Sequence, residues 1–210
     1  MVRQRVRIRF RKQGDLRFLG HRDLLRTLER LFRRASLPLA MSQGFHPKVK
    51  MTFPSALAVG VAGNDEVMEL ELTEPYEPDQ LHQLLSAQAP QGLVFASVEF
   101  LPNPKQKAKV ERVVYQFPIP PERRDQVAGA VRELMSRDSH LIQRAGGREL
   151  DLIGLIEKLE LTVDCLEMTH LVTPDGTVRP REVLAALGIE DLEHSGSVLT
   201  RTAVVLEPAS

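Results

Sequence analysis

Arginine dominates the first fifty positions of this chain, and the chemistry it offers is recognition of phosphate. Arg22, Arg26, Arg30, Arg33 and Arg34 follow one another at spacings of four, four, three and one. On a helix such spacing stacks guanidinium groups along one side. Arg5, Arg7, Arg9 and Arg11 alternate with Val6, Ile8 and Phe10, which on a strand gives an arginine ladder on one face and a core on the other. The planar guanidinium donates several hydrogen bonds in a fork that fits phosphate oxygens. The expected nucleic-acid contacts are Arg5, Arg7, Arg9, Arg17, Arg22, Arg26, Arg30, Lys48 and Lys50, with Gln43, Phe45 and His46 in an adjoining loop. A competing reading pairs the strand arginines with Glu69 and Glu71 on a neighbouring strand, yet two carboxylates cannot neutralise four guanidiniums.

Other chemistry has less support. His21, at the start of the arginine helix and near Arg17 and Arg22, is the one candidate catalytic residue, because nearby positive charge favours a neutral imidazole that can serve as a general base. Its alternative role is capping or packing. His46 reads as a surface residue, and Cys165 sits in an apparent strand without a nearby histidine, which suits a core position. The histidines are not spaced as metal ligands, so no metal site is expected. Neither GxGxxG after a strand nor GxxxxGK[ST] occurs, so no nucleotide cofactor is expected. The aromatic string of an RNA-recognition motif is also missing, which leaves phosphate contact rather than base stacking on the sheet.

Charge is unevenly distributed. Residues 1–50 hold 14 Lys and Arg against 3 Asp and Glu, whereas the rest of the 210-residue chain holds 14 against 25. The two segments carry +11 and −11, which implies a polyanion partner, an acidic partner or internal pairing. No apolar run approaches the roughly 20 residues needed to cross a bilayer. MVRQRVRIRFRK lacks a secretory h-region. A single cysteine excludes an internal disulfide framework and agrees with a cytoplasmic location.

The elements that must position these residues follow from periodicity. Strand 3–11 leads through Gly14–Asp15 to a helix over His21–Ala35, with Leu24, Leu25, Leu28, Leu31 and Phe32 as its apolar stripe. Ser36–Pro38 is expected to end that helix, since Pro38 disfavours helix at the preceding residue. A loop at Ser42–Pro47 precedes a strand over Lys48–Phe53, with Val49, Met51 and Phe53 inward. Glu66–Thr73 alternates with Met68, Leu70 and Leu72 inward, Pro78–Ala89 is a short helix, and Leu93–Leu101 places Val94, Ala96, Val98 and Phe100 inward. The order is βαββαβ. A polar linker at 102–109 precedes a second run of the same pattern: strand Val113–Ile119, helix Glu122–Arg137, strand regions His140–Leu152 and Leu161–Val172, helix Pro180–Leu187 and strand Val198–Glu207. Ile153–Leu159 is open to a short helix. The expected fold class is α+β, two tandem ferredoxin-like units at 1–101 and 110–210.

The run LRFLGHRDLLRTLERLFRRASLPLAMSQGFHPKVKMTF resembles the N-terminal signature of the radical-SAM-linked protein family. Arg17, Phe18, His21, Asp23, Leu24, Arg26, Arg30, Arg34, Pro38, Ser42, Gly44, Phe45 and Pro47 fit its pattern. LDLIGLIEKL, DGTVRPREVLAALG and LTRTAVVLE are similar to later blocks, although Ile153–Gly154 stands where Arg-Pro is expected. The resemblance implies a partner: members lie beside, or fused to, a radical SAM protein with a cobalamin-type domain, often near genes for an RNase G-type enzyme and ribosomal proteins. This chain has no CxxxCxxC and cannot itself be the radical enzyme. The leading expectation is a non-catalytic RNA-binding accessory protein that presents RNA or a ribosome-linked substrate to the radical SAM partner. The alternatives are a metal-independent RNA-processing endonuclease using His21, and an adaptor that binds protein only. Tandem units also resemble the build of CRISPR RNA-processing endonucleases, whose glycine-rich C-terminal loop is absent here.

Overall fold

Alternation in the first strand and a 3.6-residue stripe in the first helix bury the same core from two sides. The computed structural model of the chain describes residues 4–102 and 107–208, and divides it into two units, Met1–Lys109 and Val110–Ser210. Each is a mixed α/β unit on an antiparallel sheet. The linker expected at 102–109 falls in part on residues 103–106, outside the described residues.

The first unit runs β1 (Gln4–Lys12), α1 (His21–Arg34), β2 (Met51–Thr52), β3 (Ala62–Leu72), α2 (Pro78–Ala87) and β4 (Leu93–Phe100). Its strands lie in the order β4-β1-β3-β2, each antiparallel to its neighbour. Val6, Ile8 and Phe10 of β1 meet Leu24, Leu28, Leu31 and Phe32 of α1 and Met68, Leu70 and Leu72 of β3 in one buried cluster. Full burial of each such side chain contributes roughly 1.5–3 kcal/mol.

Several local features differ from the periodic reading, each for a physical reason. α1 ends just before Ser36–Pro38, as expected, but a backbone turn ahead of Pro38 closes it. Ser36 takes a left-handed backbone (φ 54°), and the amides of Ser36 and Leu37 donate to the carbonyls of Arg33 and Phe32 at 3.0 and 3.1 Å. That is a Schellman end, with Leu37 tucked into the core. The strand expected over Lys48–Phe53 shrinks to Met51–Thr52, because the chain before it folds back as a hairpin whose backbone pairs Met41 with Val49. On β4 the register shifts between Arg9 and Phe10 of its partner, so Phe95 faces the core and Val94 and Ala96 are exposed, contrary to the uninterrupted alternation. Glu69, expected on an open face, is buried. Gly92 (φ 86°) is required where β4 begins: a Cβ there would lie 2.6 Å from the Gln13 carbonyl oxygen.

The second unit runs β5 (Val110–Pro118), α3 (Arg124–Met135), β6 (Leu141–Gln143), β7 (Glu149–Asp151), β8 (Ile156–Leu161), β9 (Cys165–Leu171), α4 (Pro180–Ala186), α5 (Asp191–His194) and β10 (Thr200–Leu206). Its order is β10-β5-β9-β8, again antiparallel throughout. The strand region expected over His140–Leu152 is a separate hairpin of β6 and β7. Arg144 ties it to α4 through Glu182 at 2.6 Å. Ile153–Leu155 is one 3-10 turn before β8. His170, fully buried on β9, lies 5.3 Å from the Tyr115 ring and hydrogen-bonds the Val178 carbonyl through Nδ1 at 3.1 Å. Desolvation by burial pushes its pKa down to about 4. No helix among the described residues is long and apolar enough to cross a membrane.

Candidate nucleic-acid interface

The arginines of β1 and those of α1 meet different fates. On β1, cross-strand register decides. Arg7 lies directly opposite Glu69 of β3 and Glu99 of β4, and it reaches both, at 3.0 and 3.1 Å. Arg5 reaches the other oxygen of Glu69 at 2.5 Å, with the two side chains 5% and 2% exposed. Arg9 pairs with Asp65. Arg5, Arg7 and Arg9 are thus held by carboxylates, with Arg5 buried and Arg7 and Arg9 partly exposed; Arg11 of the ladder is exposed and makes no ion pair among the described residues. Two of these partners, Glu99 and Asp65, were missed by periodicity. Glu99 lies on β4, which the sequence reading did not set against the arginine ladder, and Asp65 is diagonal to its arginine.

On α1 the geometry favours solvent. At about 100° per residue, Arg22, Arg26, Arg30 and Arg33 cover a stripe about 80° wide, roughly opposite the buried Leu24, Leu28, Leu31 and Phe32. Arg22, Arg30 and Arg33 are exposed and make no ion pair among the described residues; Arg26 makes one exposed contact with Asp23 at 3.4 Å. Arg34 donates to the Gln88 carbonyl at 3.0 Å. The helix is aimed by a residue that the sequence reading passed over. Lys12 is buried at the end of β1, and its ammonium donates to the Leu19 carbonyl at 3.1 Å, just before α1 begins.

His21 is exposed at the first turn of α1, its ring edge-on to Phe53 with centroids 5.3 Å apart. It makes no hydrogen bond with Arg17 or Arg22, the neighbours expected to tune it. Arg17 instead stacks its guanidinium 4.3 Å over the Phe18 ring and donates to the Gly14 carbonyl. Among the described residues, no group of three or more His, Cys, Asp or Glu side chains could hold a metal ion.

After α1 comes the hairpin. The Ala40 amide donates to the Glu71 carbonyl (2.9 Å), the Glu71 amide to the Lys50 carbonyl (3.0 Å) and the Lys50 amide to the Ala40 carbonyl (2.9 Å). The Ser42 amide donates to the Lys48 carbonyl at 2.8 Å, and the Lys48 amide to the Ser42 hydroxyl at 2.9 Å. Gln43, Phe45, His46 and Lys48 are exposed at the tip. Lys50 is partly neutralised by Glu71 at 3.2 Å. No acidic residue occurs between Arg30 and Asn64, a run of 35 residues that covers the end of the helix and the whole hairpin. The arrangement is a cationic ridge followed by a cationic, acid-free tip, suited to an extended anion.

Comparison with curated proteins gives no match. A family model described as an uncharacterized protein conserved in bacteria (DUF2344) matches residues 5–180, which include β1, α1, the hairpin and most of the second unit. The chain belongs to this bacterial family.

Proposed function

We propose that the chain is an RNA-binding accessory module that grips the phosphate backbone through the solvent face of α1 and the hairpin that follows it. The observation that carries this reading is the set of exposed cations that have no carboxylate partner among the described residues: Arg22, Arg30, Arg33 and Lys48. An arginine-rich surface that served only internal pairing would find carboxylates, as β1 does. The strand order of each unit, with the first and third main strands central, supports reading them as two ferredoxin-like modules in tandem. The signature around His21 and Gly44 supports a radical SAM protein as the partner to which the RNA, or a ribosome-linked substrate, is presented. Binding is favoured over cleavage because His21 packs against Phe53 and no side chain among the described residues hydrogen-bonds its imidazole into the orientation a general base needs.

The test is the salt dependence of binding to single-stranded RNA. Four phosphate contacts predict a log–log slope of about −2.8, from roughly −0.7 per contact. Replacing Arg22, Arg30 and Arg33 together by Gln should reduce the slope by about two units and leave the urea midpoint unchanged, since exposed charges contribute little to stability. A flat salt dependence in the wild type overturns the reading.

A further inference from the structure

Phe45 is the most exposed large apolar side chain among the described residues, at 103% relative exposure. Nothing in the phosphate-binding reading uses it. A phenylalanine on a slack loop can fold back onto its own protein; this one is held out. The stem below it is closed by the main-chain bonds of Ala40, Ser42, Lys48 and Lys50, and the turn takes Gly44 at φ 127° with Pro47 two residues beyond Phe45. The ends of the turn are therefore fixed in the fold, which lowers the ordering cost of presenting the ring.

The surroundings identify the ligand. A docking aromatic for a protein partner lies within a wider apolar patch; the apolar surface of this hairpin beyond Phe45 is confined to Met41 on the stem and Pro47, and Gln43, His46 and Lys48 make up the rest of the tip's exposed side chains. An aromatic face with cations beside it, on a segment without acids, matches a nucleobase attached to its phosphate. Only an unpaired base can offer its π-face to such a ring. We propose that Phe45 is a stacking platform for an unpaired base, so that the RNA bound by this chain is single-stranded at the hairpin tip. The proposal rests on the phosphate-binding reading and adds the class of substrate.

The experiment uses the full chain and a labelled single-stranded RNA of about 12 nucleotides, within the usual site size, carrying 2-aminopurine, with its duplex as competitor. The single strand is expected to bind about ten-fold more tightly than the duplex and to quench the 2-aminopurine fluorescence. Phe45→Leu should weaken binding of the single strand about ten-fold and remove the quench, with the salt slope unchanged; Phe45→Tyr should restore both. Phe45 is fully exposed, so neither variant disturbs the core. Equal affinity for single strand and duplex, unmoved by Phe45→Leu but steeply salt-dependent, overturns the stacking platform and leaves phosphate binding intact. No RNA binding at all overturns both.

Discussion

Replacing Glu69 by Gln removes one charge from the network that holds β1 to β3, and its cost can be worked from the geometry. The Glu69 carboxylate is buried and divided between Arg5, also buried, and Arg7, which is partly in water. Breaking a buried pair by removing one partner costs about 3–5 kcal/mol. Arg7 keeps Glu99 at 3.1 Å and some hydration, so most of the loss falls on Arg5. Gln keeps the volume and one acceptor oxygen. The expected loss is therefore at the low end, about 3 kcal/mol. With an m-value near 1.5 kcal/mol/M, the urea midpoint should fall by about 2 M. Far-UV circular dichroism gives the midpoint, and hydrogen exchange of β1 and β3 amides, set against those of β5 and β9, places the loss in the first unit. Glu99→Gln is the control: Glu99 is largely exposed, and its pair should contribute under about 1 kcal/mol. The reasoning fails if Glu69→Gln shifts the midpoint no more than Glu99→Gln does.

Two further substitutions test the fold. His170 has its ordinary pKa near 6.5 in the unfolded chain and about 4 in the folded one, so the unfolded state binds the extra proton between those values. Its contribution is complete above pH 6.5 and lost as the pH falls toward 4, about 3 kcal/mol in all; the stability difference between wild type and His170→Gln, followed across that window, should change accordingly and stay constant above pH 7. Ser36→Gly relieves a left-handed backbone at a non-glycine residue and should raise the thermal midpoint, by a stability gain of about 1 kcal/mol.

Much of the first unit was legible because β1 and α1 each follow a single period over their whole length. Val6, Ile8 and Phe10, and the α1 leucines, needed no information from elsewhere in the chain. The fate of the arginines was not legible in the same way. Whether Arg7 meets water or a carboxylate depends on which residue of β3 and of β4 lies opposite, and a single irregularity in β4 resets that register. The hairpin after α1 was hidden because main-chain bonds, blind to side-chain type, make most of its stem. In the second unit, β6 and β7 have three residues each, too few for alternation to register.

That stem has a consequence for how the tip can change. Its closing bonds to Ala40, Lys50 and Glu71 come from the main chain, and the side chains of Gln43, Phe45 and His46 make no hydrogen bond or ion pair among the described residues. Residues 43–46 are in this sense a cartridge: their identities can be exchanged with little effect on the fold, provided the left-handed position at Gly44 is kept. Tips grafted from other members of the family onto this stem would keep the fold, and a library randomised at 43, 45 and 46 would vary the exposed surface without sampling stability.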